Sequence, residues 1–151
     1  KPNSMAKYQN NKVYPNYPAS QNHPDYPKVA YCDDVYAFAA LDFVRKQAVR
    51  YNLDGQPFFG LFAAQIPHAP FREVQKLPDW DKAYLEKPFF QNLSDQSRQW
   101  CAMVTRIDAH FGNLLDAPDD PNGDGDTSDS VAHDPLVVFQ SYNGGPWGSN
   151  R

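Results

Sequence analysis

Positive charge, cysteine and long apolar runs are all scarce in this chain. Lys and Arg number 14 against 18 Asp and Glu, a formal net charge of −4. No stretch concentrates the basic residues, which argues against nucleic acid as the main partner, because phosphate tracking needs clustered cations. No run approaches the roughly 18 apolar residues that mark a membrane span. The start, Lys1-Pro2-Asn3-Ser4, carries neither an initiator methionine nor the apolar core of a signal peptide. The expectation is therefore an internal piece of a longer protein, processed or cut.

Cys32 and Cys101 are the only cysteines. They allow at most one disulfide, their spacing is no metal pattern, and neither sits in a recognisable nucleophile motif. Cys101, between Trp100 and Met103 in a helical pattern, reads as a small buried thiol.

What remains is enough for one domain. The chain has 151 residues, 41% of them hydrophobic, which suffices for a core, and 14 prolines that demand long irregular connections. Residues 1–31 hold Pro15, Pro18, Pro24 and Pro27 too close together for a helix or a central strand. This segment is expected to be extended and irregular, with His23 solvated. Residues 32–151 are expected to form a partial α/β domain.

Asp33 or Asp34 is placed to cap a helix running to about Tyr51, with an apolar face from Val35, Phe38, Ala39, Leu41, Phe43, Val44 and Ala48. Asp42 precedes Arg45 and Lys46 at helical-pair spacing. Asp54-Gly55 marks a turn. Phe58 to Ala64 is a continuous apolar run, the pattern of a strand covered on both faces. An irregular stretch leads to Leu93, and Ser94 or Asp95 opens the clearest helix. Trp100, Met103, Val104, Ile107, Phe111 and Leu114 recur there at three- and four-residue steps until Pro118. An acidic loop follows, and Leu136–Ser141 reads as a second buried strand. The last three elements predict a right-handed βαβ unit. Its geometry would bring the loops after Ala64 and Ser141 to one sheet edge, so that His68 and Asn143 face one pocket. Two strands make no stable open sheet, so further strands are expected outside this chain or on a partner.

Three motifs carry candidate chemistry. Pro67-His68-Ala69-Pro70 stiffens a histidine turn. Its imidazole either serves an anionic ester and its leaving oxygen or satisfies a loop carbonyl. Ser141-Tyr142-Asn143-Gly144-Gly145 is either a plain glycine turn or a site where the Asn143 amide oxygen ligates a hard cation. Asp120, Asn122, Asp124 and Asp126 alternate as oxygen ligands do in the first half of an EF-hand loop, with Gly125 at the bend. Val131 stands where the bidentate glutamate belongs, so the loop is either a weak calcium site or a solvated acidic turn. His110, on the polar side of the long helix, and His133 are expected to be solvated.

These segments, in this order, resemble the formylglycine-dependent (type I) sulfatases, the arylsulfatase-like branch of the alkaline-phosphatase superfamily. The likeness runs through Asp34-Val35-Tyr36 with Ala40-Leu41-Asp42-Phe43-Val44, then Pro57-Phe58-Phe59 to Pro70. It continues through Ala102-Met103-Val104 with Ile107-Asp108, Gly112 and Leu114-Leu115, and ends at Leu136 to Gly145, covering roughly residues 33–148. It implies an α/β fold, part of an alkaline-phosphatase-like mixed sheet flanked by helices and incomplete in this chain. It implies that His68 contacts the sulfate and assists ester cleavage, and that Asn143 is an amide ligand of a calcium ion. It also implies a periplasmic or extracellular location.

The departures are specific. The Cys/Ser-x-Pro-x-Arg motif that supplies the formylglycine nucleophile is absent, and Asp33-Asp34 aligns with a helix start rather than with the family's early metal aspartates. Tyr142 stands at the usual metal aspartate, and a phenol with a pKa of about 10 is a poor calcium ligand. One base separates Asp from Tyr codons. The resulting expectation is a fragment of an enzyme acting on sulfate esters, with sulfated glycans one candidate class, inert alone and needing the rest of its domain or partner chains. The competing expectation is a non-catalytic structural or calcium-dependent interaction module derived from the same fold.

Overall fold

The computed structural model describes residues 31–68, 71–77 and 80–141. The amino-terminal segment with His23, and Tyr142 and Asn143, lie outside the described residues.

Two long helices organise the described residues. Helix α1 spans Cys32–Asp54. It ends where Gly55 takes φ 69°, a left-handed conformation that glycine adopts without a Cβ penalty, and donates its N–H to Tyr51 O at 2.8 Å. A short helix, α2, covers Pro88–Gln91, with proline in the first turn where no amide donor is needed. Helix α3 spans Asp95–Asp116 and starts as its sequence predicts: Ser94 Oγ accepts from Ser97 N at 3.2 Å. Short 3-10 helices at Phe71–Lys76, Lys82–Tyr84 and Thr127–Asp129 fill the connections.

The core lies where α3 meets the turn at Phe71–Lys76. Tyr31, Ile66, Phe71, Val74, Leu77, Ala102 and Met103 form one buried cluster, with Trp80, Trp100 and Ile107 packed against it. Beside it, Phe90 is fully buried and stacks on Tyr84 at 4.5 Å between centroids. Tyr84 Oη donates to Cys101 O at 3.2 Å, tying this aromatic pair to α3. Both cysteines are free thiols of intermediate exposure, and burial pushes each above its ordinary pKa. The Asp42–Lys46 pair forms on the exposed face of α1 at 2.7 Å.

The expected α/β sheet is corrected here: among the described residues the secondary structure is all helical, with no strand. Phe58–Ala64 and Leu136–Ser141 are irregular, and the βαβ unit built on them falls with them. A strand exists only through a partner ladder, and neither run has one among the described residues. Instead, they lean on the helices through aromatics, two from the first run and one from the second. Phe58 meets Phe43 edge-on at 5.9 Å, and Phe111 of α3 meets both Phe62, at 5.8 Å, and Phe139, at 5.0 Å. The remaining large apolar side chains face solvent: Phe59 is 85% exposed, Leu61 82% and Leu136 91%. Apolar content reported a need for burial, and the covering surface is not in these residues.

Candidate functional site

The amino-terminal turn of α1 ties three segments of the described structure together through two buried carboxylates. Neither aspartate caps its own helix: the N-cap is Tyr31, with no side-chain cap bond. Both carboxylates, buried in the folded chain, reach other segments. Asp33 Oδ1 accepts the backbone N–H groups of Gln65, at 3.1 Å, and Ile66, at 3.2 Å. Asp34 turns to α3, where Arg106 Nε donates to Oδ1 at 2.5 Å and Nη2 donates to Oδ2, a bidentate clamp. His110 Nε2 lies 3.1 Å from Asp34 Oδ1, one helical turn beyond Arg106. The Arg106 guanidinium also sits over the Tyr31 ring, 5.5 Å from its centroid.

Environment drives the two neighbours apart. Burial pushes Asp33 above the ordinary carboxylate range, outweighing its two backbone hydrogen bonds. Burial would raise Asp34 as well, but the hydrogen bonds and charges of His110 and Arg106 outweigh it and hold its carboxyl below that range. Burial, reinforced by Asp33 and Asp34, pushes the Tyr31 phenol well above its ordinary value, so it stays neutral.

His68 follows directly from the segment that Asp33 holds. Ile66–Pro67 is a cis peptide and His68 N donates to Gln65 O at 3.0 Å, closing a four-residue turn with the proline at its third position. Ile66 is buried in the core cluster while His68 is exposed. The turn is thus fixed from beneath by a side chain and a carboxylate, and it presents an imidazole outward. Its partner in the expected pocket, Asn143, lies with Tyr142 outside the described residues.

The acidic loop is folded upon itself. Asp120 Oδ1 accepts from Gly123 N at 2.8 Å and Asp124 N at 3.1 Å, and its Oδ2 accepts from Gly125 N at 3.0 Å. Asn122 accepts from Asp124 N, Asp124 from Asp126 N, and Asp126 from Ser128 N and Ser128 Oγ, all between 2.8 and 2.9 Å. The loop is moored to α1 by Asn52 Nδ2, which donates to Asp129 O at 2.5 Å, and by Tyr51 Oη, which donates to Asp134 Oδ2 at 3.0 Å. Val131, where an EF-hand has its bidentate carboxylate, is a buried apolar anchor. Among the described residues no three His, Cys, Asp or Glu side chains gather as a metal-holding group. The loop's oxygens are hard donors suited in kind to calcium, but here they hold the backbone.

Sequence reasoning found the His68 turn and missed what supports it. His110, expected to be solvated, is 16% exposed in its side chain and paired with Asp34. Arg106 and His110 at four-residue spacing share one face of α3, and two adjacent aspartates open α1. Both signals are in the sequence, where aspartates at a helix start fit a cap equally well.

The first turn of α1 thus joins α3, through Asp34, to the backbone just before His68, through Asp33. The chain is related to a curated protein of Formosa agariphila described as "Sulfatase", 36% identical over 90 residues. The match covers 59% of this chain, which spans only 15% of that relative's length. This supports a sulfatase family relationship. No protein-family profile and no solved structure matches the chain.

Proposed function

We propose that this chain is a piece of a sulfatase, and that in the whole protein its His68 turn faces the sulfate group of an ester substrate. The observation that carries the reading is the turn itself: an exposed imidazole on a backbone held by Asp33 and Ile66, in a chain related to a sulfatase. An imidazole there can donate to a sulfate oxygen or protonate the departing alcohol oxygen. Asn143 is proposed as an amide ligand of a calcium ion beside the sulfate, with Tyr142 replacing the usual aspartate. When bound, such an ion would offset the negative charge of the ester. The nucleophile, a formylglycine by family resemblance, belongs to a segment other than this one, and a periplasmic or extracellular location is part of the same proposal.

The exposed apolar runs support a companion surface: Phe59, Leu61 and Leu136 need cover that the rest of the protein or a partner would supply. The isolated chain is therefore expected to be inert. Incubating the purified 151-residue chain with 4-nitrophenyl sulfate should give no turnover above buffer. Robust hydrolysis that survives His68→Ala would sink the proposal.

A second reading, a calcium-dependent interaction module, is favoured by the pre-folded Asp120–Ser128 loop. Calorimetry separates the two. Calcium binding lost on changing Asp120, Asn122 and Asp124, but kept on changing Asn143, favours the module.

A further inference from the structure

We propose that Asp33 is the positioning residue for His68, a role distinct from helix capping. The inference rests on the reading of His68 given above and concerns what sets that imidazole in place. Three facts converge. Asp33 accepts both the Gln65 and the Ile66 amides, through one oxygen, Oδ1. Those two residues are the first half of the turn whose closing bond is donated by His68 N. Asp33 itself is fixed because its neighbour Asp34 is clamped to α3 by Arg106 and His110.

The histidine therefore takes its position from a chain of contacts that begins on α3, passes through the first turn of α1, and ends on the 65–66 backbone. The chemistry of the acceptor matters. Both amides point at a single oxygen, which an asparagine carbonyl can replace without a charge and an alanine cannot. Burial of Asp33 already disfavours its ionised form, so a neutral acceptor suits the site. Capping would leave a different pattern, with the carboxylate bonded to amides of its own helix, and no side-chain cap bond is present at this helix start.

The test uses amide hydrogen exchange and histidine ring resonances in the 15N-labelled 151-residue chain. Asp33→Ala should speed exchange at Gln65 and Ile66 by about tenfold or more and shift the His68 ring signals, because a lost buried hydrogen bond opens the turn locally. Asp33→Asn should restore both readings to near the parent chain, while Met103 and Ile107 in α3 keep their protection in every variant. Unchanged exchange in Asp33→Ala, or an asparagine variant as loose as the alanine one, overturns the assignment. If Asp33→Ala also exposes Met103, Asp33→Glu takes its place. It keeps the charge and displaces the oxygen by one methylene, and it should loosen Gln65 and Ile66 alone. A tight turn in that variant likewise overturns the assignment. The premise fails separately: a full-length sulfatase that keeps its rate after His68→Ala removes the role of His68 and leaves the exchange result standing.

Discussion

At the scale of single residues, adjacent aspartates in one helical turn do opposite things to stability. Asp34 has its folded pKa depressed by His110 and Arg106, so the stability it contributes is present above the ordinary carboxylate range. It is lost as pH falls through the depressed value. Asp33 has its folded pKa raised by burial. Its contribution is complete below the ordinary carboxylate range and is lost as pH rises through the raised value. Asp34→Ala strands the Arg106 guanidinium, which is 25% exposed, and should cost about 3 kcal/mol in urea unfolding at neutral pH. Asp33→Asn should change stability by about 1 kcal/mol or less there, since the amide keeps the acceptor and removes a buried charge. Relative to the parent chain, Asp33→Asn should gain stability on going from acid to neutral pH, whereas Asp34→Asn should lose it. Equal pH profiles for the two variants would contradict this division. The sequence displayed both residues but not their partners, which lie 32 or more positions away and are set by packing.

At the scale of elements, legibility followed the physics of each pattern. Helix α3 could be read almost to the residue, because a cap serine, a three-to-four residue apolar stripe and a terminating proline are all local signals. Ser94→Ala should therefore cost about 1 kcal/mol of stability, as N-cap losses do, with exchange rising first at Ser97. Its buried face should be less forgiving. Met103 is 1% exposed within the core cluster, and Met103→Ala should cost about 2–5 kcal/mol by calorimetry or urea melt. The two apolar runs read as strands because continuous hydrophobicity reports a demand for cover, and it says nothing about which surface supplies it. Their aromatics settle on α1 and α3 through Phe43 and Phe111. The 3-10 turn at Phe71–Lys76, which packs the core, carried no periodicity long enough to detect.

For the whole molecule, the fold and the sequence relationship point the same way. The described residues close a small core around α3 and leave two apolar runs uncovered, and the matched sulfatase is several times longer than this chain. Among the described residues no helix is long and apolar enough to cross a membrane. The candidate site is correspondingly partial: His68 and its supports are described, whereas Asn143 and Tyr142 are not. Sequence reasoning reached His68 because prolines on both sides marked the turn, and it missed Arg106 and His110 because a polar helix face looks alike whether solvated or paired. The most direct measurement is kcat/KM for an aryl sulfate in the full-length protein carrying this segment, before and after His68→Ala. A histidine that donates to the sulfate ester predicts a fall of about 100-fold or more with the fold intact. An unchanged kcat/KM would contradict the central claim.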